Sequence, residues 1–213
     1  MSNIKSTIEI GSKVQEFRVI EIFSSIQGEG ALMGMPTTFV RFSGCNLRCP
    51  WCDTGYSWDD PTKANKMTIS QIVEKCDKDT VVLTGGEPCL NKLDDLIDAL
   101  HEAGKFVSIE TNGTQPTPLN ADWVTCSPKP QSDYLIHGDC HFNELKYVVD
   151  DNFDLACIPP EKLQTCGEVW LQPCDFGDDK EATKASAQRC LNLVLGNRCL
   201  RMGIQMHKIY DVE

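Results

Sequence analysis

Short apolar runs and helically spaced apolar residues alternate along most of the chain. Runs rich in β-branched and aromatic residues favour strands, whereas apolar residues three and four positions apart favour one face of a helix. The runs predict strands at residues 18–23, 37–42, 80–84, 106–110, 123–127, 144–149, 168–171 and 200–204. The helical spacing predicts helices over residues 68–76, 93–104 and 179–195.

The three predicted helices have recognisable ends and apolar stripes. The first begins with a capping box from Thr68 to Gln71, and its stripe runs through Ile69, Ile72, Val73 and Cys76. The second ends at Gly104, a residue type that suits the position after a helix, and its stripe is formed by Leu93, Leu96, Ile97 and Leu100. The third is expected to pack through Ala187, Leu191, Val194 and Leu195.

Alternating strands and helices predict an α/β fold with a parallel sheet. In such folds ligands bind at the carboxyl ends of the strands. The loops that carry Gly-rich or cysteine-rich motifs in this chain all follow predicted strands, so we expect them to share one site. No linker or repeat interrupts the pattern, and the whole of residues 1–213 is expected to form one domain.

The composition excludes some classes of protein. The formal net charge of −11, without any Lys/Arg cluster, argues against a nucleic-acid-binding protein, which would need a basic patch. No apolar run approaches the length of a membrane span, and residues 1–16 do not have the character of a signal peptide. The chain is therefore expected to be cytoplasmic, with neither a membrane nor a nucleic acid as its partner.

Three cysteines with the spacing C-x3-C-x2-C lie in one predicted loop, residues 43–54: Cys45, Cys49 and Cys52. A disulfide framework needs an even number of cysteines, and a structural zinc site needs a fourth ligand at comparable spacing. Thiolates also suit iron–sulfur clusters, which usually have four cysteine ligands. A cluster held by three cysteines would leave one iron open to a small molecule. Zinc or purely structural cysteines are the alternatives.

The remaining cysteines of the twelve are widely and irregularly spaced. Cys76 and Cys190 fall on apolar faces of predicted helices, where a free cysteine behaves as a small hydrophobic residue. An auxiliary cluster formed by Cys157, Cys166 and Cys174 is a less favoured alternative because their spacing matches no cluster motif. A metal site at His137, Cys140 and His141 is disfavoured for the same reason.

Four further residues have side chains suited to a ligand. In the loop 25–30, Gln27 and Glu29 offer the donors and acceptors that an amidine-like edge requires, although a plain Gly-rich turn is equally consistent with this segment. Arg41 ends a strand beside the cysteine loop, where it could bind a carboxylate or form a surface ion pair. Thr54 offers a hydroxyl to Mg²⁺, or is an ordinary loop threonine.

The cysteine loop resembles the iron–sulfur motif of the radical S-adenosylmethionine enzymes, and Thr84-Gly85-Gly86-Glu87-Pro88 is similar to a second motif of that family. The resemblance implies a shortened, partial (β/α) barrel of the TIM type. It also implies one [4Fe–4S] cluster on Cys45, Cys49 and Cys52. The open iron would bind S-adenosylmethionine, and an electron from the cluster would release a 5′-deoxyadenosyl radical.

Two more segments are similar to one branch of this family: Ser25-Ile26-Gln27-Gly28-Glu29-Gly30 and Gln205-Met206-His207-Lys208. That branch converts a carboxylated tetrahydropterin into a 7-deazapurine of queuosine biosynthesis, with hydrogen abstraction at C6, ring contraction and loss of ammonia, and it regenerates S-adenosylmethionine. Two alternatives stay open. An activating enzyme for a glycyl-radical protein would share the cysteine loop but dock a large partner, and a non-catalytic iron–sulfur or zinc protein would not cleave S-adenosylmethionine.

The resemblance also implies roles for individual residues. The pterin would be contacted by a tail at 205–213 that closes over it and by residues of the strand ends: Gln27, Gly28, Glu29, Arg41, Thr84, His207 and the carboxylate of Glu213. S-adenosylmethionine would be bound by Trp51, Cys52, Asp53, Gly86, Glu110, Ser127, Pro128, Lys129 and Gln172. Thr54 would bind Mg²⁺. The expected partners are a flavodoxin-like electron donor and a second copy of the chain in a homodimer.

Overall fold

The structure, a computed structural model, describes residues 15–59, 61–164 and 166–212. Their strands are β1 (Glu16–Ile26), β2 (Pro36–Phe42), β3 (Asn65–Thr68), β4 (Thr80–Gly85), β5 (Phe106–Thr111), β6 (Trp123–Cys126), β7 (Glu144–Val149), β8 (Val169–Pro173) and β9 (Leu200–Met202). The helices are α1 (Tyr56–Asp59), α2 (Ile69–Lys75), α3 (Asp94–Glu102), α4 (Lys180–Gly196) and α5 (Met206–Tyr210). No helix in the described ranges is both long enough and apolar enough to cross a membrane.

All nine strands form one sheet in the order β3-β1-β2-β4-β5-β6-β7-β8-β9. In this order, the seven strands from β2 through β4 to β9 are parallel to one another, whereas β1 pairs antiparallel with both β2 and β3. The sheet therefore has the expected partial-barrel arrangement, with the carboxyl ends of seven parallel strands on one side. In the register of β2 and β4, Arg41 lies beside Thr84, so two predicted site residues are neighbours by strand pairing alone.

Helices and strands alternate less regularly than the sequence pattern suggests. Among the described residues, α2 and α3 flank β4 and α4 separates β8 from β9, whereas the connections after β5, β6 and β7 contain only loops and short 3₁₀ turns. The 3₁₀ turns are Pro61–Lys63, Pro88–Leu90, Pro130–Ser132 and Leu155–Cys157. The connections after β5, β6 and β7 are rich in proline and glycine, which disfavour the interior of a helix.

The apolar stripes of α2 and α3 pack on the first half of the sheet. All four predicted stripe residues of α3 are fully buried, and the capping box at Thr68 and Gln71 is formed as predicted. A second core cluster lies under α4 and is centred on Tyr147, Leu171 and Cys190. Cys76 and Cys190 are both buried, which confirms their predicted place on helix faces.

The prediction for the buried face of α4 is right only in part. Val194 packs against the second core cluster, but Leu191 and Leu195 are 39% and 76% exposed, and Ser186 and Cys190 are buried instead. Ser186 Oγ donates to the carbonyl of Val149 at 2.6 Å and accepts from the amide of Cys174 at 2.7 Å. The hydrogen bonds of a small polar residue therefore help to orient this helix, together with the packing of Cys190 and Val194.

Candidate functional site

A cavity of about 300 Å³ opens at the carboxyl ends of the parallel strands. It is lined by almost every residue proposed from the sequence: Gln27, Gly28, Glu29, Arg41, Cys45, Cys49, Trp51, Cys52, Asp53, Thr54, Thr84, Gly86, Glu110, Ser127, Lys129, Gln172 and His207. Pro128 is buried and does not line it. Glu213 and its carboxylate lie outside the described residues.

The cysteine loop is fixed by backbone hydrogen bonds to α1 and to the loop after β4. The amide of Gly44 donates to the carbonyl of Ser57 at 2.9 Å, and the amide of Glu87 donates to the carbonyl of Gly44 at 2.8 Å. A Cβ at Gly86 would overlap with the carbonyl of Gly44, so this glycine is needed for the close approach of the two loops. The shared family motif at 84–88 thus acts as a support for the cysteine loop.

The chemistry of the three cysteines fits an iron–sulfur cluster. Their thiols are free, partly exposed and open to the same cavity. Cys45 Sγ accepts from the amide of Leu47 at 3.4 Å and from Asn112 Nδ2 at 3.9 Å, contacts that tune cluster sulfurs in such sites. Burial raises the pKa of Cys49 to about 11, and binding of a metal would displace that proton. In the described ranges, no three His, Cys, Asp or Glu side chains are arranged to hold a single metal ion.

Glu87 has a structural part in the site. Its carboxylate is 1% exposed and accepts hydrogen bonds from Thr111 Oγ1 and the amide of Asn112, both at 2.7 Å, and from the amide of Cys89 at 2.9 Å. Burial raises the pKa of Glu87, and these donors oppose that rise. Glu87 therefore ties the loop after β4 to the end of β5 and holds Asn112 beside Cys45.

Two cavity carboxylates, Glu29 and Glu110, are joined by Lys146. Lys146 Nζ lies 2.5 Å from Glu29 Oε2 and 2.8 Å from Glu110 Oε2. Gln27 completes the group because its Nε2 donates to Glu110 Oε1 at 3.2 Å and its Oε1 accepts from the amide of Glu29 at 3.2 Å. Glu110, assigned by resemblance to S-adenosylmethionine, thus also contacts the loop assigned to the pterin.

Sequence reasoning missed Lys146. The residue lies in the middle of β7 and is 8% exposed, and Leu145 and Tyr147 on either side are fully buried. A lysine is rarely buried without a charged partner. A lone lysine within an otherwise apolar strand is therefore a signal that could have identified it, but the sequence does not show which carboxylates it meets.

The tail lies against the pterin-side loop, as expected from its position after the last strand. The amide of Met206 donates to the carbonyl of Gly28 at 3.0 Å, and Gln205 Nε2 donates to Glu29 Oε1 at 2.8 Å. Lys208 Nζ pairs with Asp175 Oδ2 at 2.7 Å. These contacts bring His207 to the cavity wall directly beside Gly28.

Arg41 fits both interpretations that its sequence position allowed. Its Nε pairs with Glu21 Oε1 at 2.6 Å, and its guanidinium lies 5.7 Å from the ring centre of Phe23 and 5.9 Å from that of Tyr56. The same side chain lines the cavity. An ion pair through Nε fixes the planar group, so that its terminal nitrogens can bind a second carboxylate.

The other side of the cavity carries the polar residues that the resemblance assigns to S-adenosylmethionine. Lys129 Nζ donates to the carbonyl of Ser127 at 2.8 Å and lies 5.8 Å from the ring centre of Trp51. Trp51 Nε1 donates to Asp150 Oδ2 at 3.1 Å, which ties the cysteine loop to the end of β7. Within the described ranges Gln172 Oε1 is buried without a hydrogen-bond partner, although most buried polar atoms have one. This cavity wall fits a polar cofactor.

Among the described residues, the cysteines outside the loop show no arrangement that could hold a metal ion. Cys166 forms a disulfide with Cys199, a pairing that the sequence spacing did not suggest. Cys126 and Cys140 are buried with their sulfurs 3.9 Å apart. Cys174 is buried under α4, and Cys157 is partly buried in the loop after β7.

Comparisons with known proteins agree with the motifs. The family model of the radical SAM superfamily matches residues 39–124. A 7-carboxy-7-deazaguanine synthase of Bacteroides thetaiotaomicron is 41% identical, with 92% of this chain and 98% of the relative covered. The Haemophilus influenzae protein of the same name is 33% identical over 92% and 94% of the two chains. A crystal structure of QueE from Escherichia coli is 28% identical, covers 90% of this chain and 95% of its own, and superposes with a TM-score of 0.71.

Proposed function

The chain belongs to the 7-carboxy-7-deazaguanine synthase family of radical S-adenosylmethionine enzymes, and from this premise we propose that it converts 6-carboxy-5,6,7,8-tetrahydropterin into 7-carboxy-7-deazaguanine and ammonia. The observation that carries the proposal is the meeting of two loops in one cavity. The three-cysteine loop is common to the wider family, whereas the Gln27–Glu29 loop offers acceptors for the amino-pyrimidinone edge of a pterin.

Glu29 and Gln27 are the proposed recognition groups for that edge. A pterin presents an amino group and a ring N–H side by side, and an ionised carboxylate accepts two such hydrogen bonds. The acceptors are already fixed, since Lys146 and Gln205 hold Glu29 and the amide of Glu29 holds Gln27. Preorganised acceptors of this kind reduce the entropy cost of binding.

At the other end of the pterin, Arg41 is proposed to bind the 6-carboxylate with its terminal nitrogens, and Thr84 lies beside it in the strand register. His207 covers the ring from the tail side. Such an arrangement would place C6 of the pterin toward the cysteine loop. We include the terminal carboxylate of Glu213 as a further ligand that closes the site.

Cys45, Cys49 and Cys52 would hold a [4Fe–4S] cluster, and Trp51, Asp53, Gly86, Ser127, Lys129 and Gln172 would bind S-adenosylmethionine, with Pro128 shaping the same loop. When bound, the cluster would supply the electron that cleaves S-adenosylmethionine to the radical that takes hydrogen from C6. The residues of this chain would orient the methionine and adenine portions, and the cavity walls would exclude water from the radical.

The remaining parts of the proposal concern the ion, the assembly and the electron source. Thr54 Oγ1 lies 3.7 Å from Cys52 Sγ at the cavity wall. A single protein hydroxyl suits a Mg²⁺ ion whose other ligands are water and substrate oxygens. A homodimer, a flavodoxin-like donor and a cytoplasmic location complete the proposal. The glycyl-radical alternative is less well supported, because it does not require the Gln27–Glu29 loop that lines the cavity.

The proposed function is tested by anaerobic turnover. Reconstituted protein, S-adenosylmethionine, dithionite and 6-carboxytetrahydropterin are expected to give a product lighter than the substrate by one ammonia. The Cys52→Ala variant is the control and is expected to give none. Cleavage of S-adenosylmethionine without this product would reassign the chain to another reaction of the superfamily.

A further inference from the structure

A buried charge triad lies on the pterin side of the cavity. The ammonium of Lys146 is held between Glu29 and Glu110, and all three side chains are less than 18% exposed. They come from the loop after β1, from β5 and from β7, so the triad forms only when the sheet is assembled. Removing one member of a buried ion pair leaves an uncompensated charge, which is costly.

Lys146 favours the ionised form of both carboxylates. Burial raises their pKa values and Lys146 opposes that rise, so that the pKa of Glu29 lies below its ordinary value whereas the pKa of Glu110 stays above it. The two carboxylates are also close enough to repel each other, because each lies within hydrogen-bond distance of the same nitrogen. Without the ammonium, burial and repulsion would act together to raise the pKa of both carboxylates, which favours a proton on one of them.

Other charged groups face the triad from neighbouring elements. His207 approaches Glu29 from the tail, Glu144 approaches Glu110 from the start of β7, and Lys129 approaches Lys146 from the loop after β6. Glu144 is engaged by Thr125 Oγ1 at 2.8 Å and by the amide of Ala31 at 3.0 Å. Lys146 is nevertheless the only one of these cations bonded to both carboxylates.

The protonation state of the pair decides which ring can bind. An ionised carboxylate only accepts hydrogen bonds, whereas a protonated one also donates. An acceptor surface suits the 2-amino group of a pterin and disfavours a 2-oxo group at the same place. We propose that Lys146 is a specificity-determining and positioning residue, which selects 2-amino over 2-oxo rings by keeping Glu29 as an acceptor.

This inference rests on the proposed function, because it takes the pterin edge to face Glu29. It goes further in assigning the selection to a residue that need not touch the substrate. A site built to bond one polar group rejects analogues that lack it by large factors, so the wild-type protein is expected to prefer the pterin over its 2-oxo analogue by more than about a hundredfold.

The test measures equilibrium binding of the two rings to the reconstituted protein by anaerobic calorimetry. In Lys146→Met, the preference is expected to fall at least about tenfold near pH 6.5 and to return partly as the pH rises and the carboxylates ionise. Lys146→Arg keeps the charge and is expected to keep the preference within a few-fold. The control is Lys162→Met, which removes the ion pair between Lys162 and Glu168, 2.8 Å long. Neither of these residues lines the cavity.

A second variant covers the case in which Lys146→Met does not fold. The double variant Lys146→Met/Glu110→Gln removes the like-charge pair and is expected to fold. Because burial of Glu29 then acts without repulsion, it is expected to show a smaller loss of preference with the same direction of pH dependence. An unchanged preference in the folded variants overturns the inference and leaves the proposed function intact. A wild-type protein that binds neither ring overturns the proposed function, and the inference falls with it.

Discussion

Gly28 is the position where the smallest perturbation should separate pterin binding from the rest of the site. A Cβ at Gly28 would overlap with His207 Nδ1 and would lie 3.2 Å from the backbone nitrogen of His207. Rotation of the imidazole alone does not relieve the contact with the backbone. In Gly28→Ala the tail must therefore move away from the loop that carries Glu29.

The expected loss of pterin affinity in Gly28→Ala follows from the contacts that the movement of the tail disturbs. The tail is held by the Met206–Gly28 backbone hydrogen bond and by the Gln205–Glu29 hydrogen bond, at 3.0 and 2.8 Å. A neutral hydrogen bond contributes about 0.5–1.5 kcal/mol and one to a charged group about 1.5–3 kcal/mol. Since the tail relaxes rather than detaches, we expect pterin binding to weaken by about 1–3 kcal/mol, or roughly 5-fold to 150-fold.

The assay is anaerobic titration of the reconstituted protein with the pterin, together with iron content, S-adenosylmethionine binding and thermal unfolding. Only the pterin affinity should change, because Gly28 does not contact the cysteine loop. Gly138→Ala is the matched control, as a Cβ there meets nothing within 4 Å. Wild-type affinity in Gly28→Ala, or a parallel loss of iron, would refute the tail contact as the cause.

Three more outcomes are expected. Alanine at any one of the loop cysteines should remove about one cluster of iron per chain, whereas Cys174→Ala should leave the iron content unchanged; iron loss in the latter would point to an auxiliary cluster. Arg41→Lys should weaken pterin binding by about 1.5–3 kcal/mol because a point charge cannot replace the planar fork, and unchanged affinity would limit Arg41 to its pair with Glu21. A protein with a tag fused after Glu213 should keep its iron and still cleave S-adenosylmethionine slowly, but it should lose most of its affinity for the pterin. Full activity of the tagged protein would place the terminus outside the site.

Local patterns were enough to predict the framework of the site. Cysteine spacing, strand ends and glycine-rich loops are properties of short segments, and parallel pairing then places their ends together. The neighbouring positions of Arg41 and Thr84 follow from this rule, as does the buried stripe of α3. The fold class and the family could therefore be inferred from the sequence.

Long-range polar contacts could not be predicted in this way. Trp51 and Asp150 are 99 positions apart, and Lys146 meets Glu29 across 117 positions. Neither contact leaves a periodic signal, because each depends on how distant strands are placed side by side. The place of Ser186 on the buried face of α4 was missed for a related reason, since Ser186 is fixed by hydrogen bonds to β7 and to the residue after β8.

Under the proposed function, one cavity brings C6 of a carboxytetrahydropterin to the radical generated at the cysteine loop. A substrate that carries deuterium at C6 tests this placement when it is incubated anaerobically with the protein, S-adenosylmethionine and reductant. We predict that 7-carboxy-7-deazaguanine forms and that deuterium appears in the recovered S-adenosylmethionine, because the radical takes the label and the cofactor is then regenerated. Product formation with no deuterium in the cofactor, or deuterium transfer without the deazaguanine product, would contradict the account.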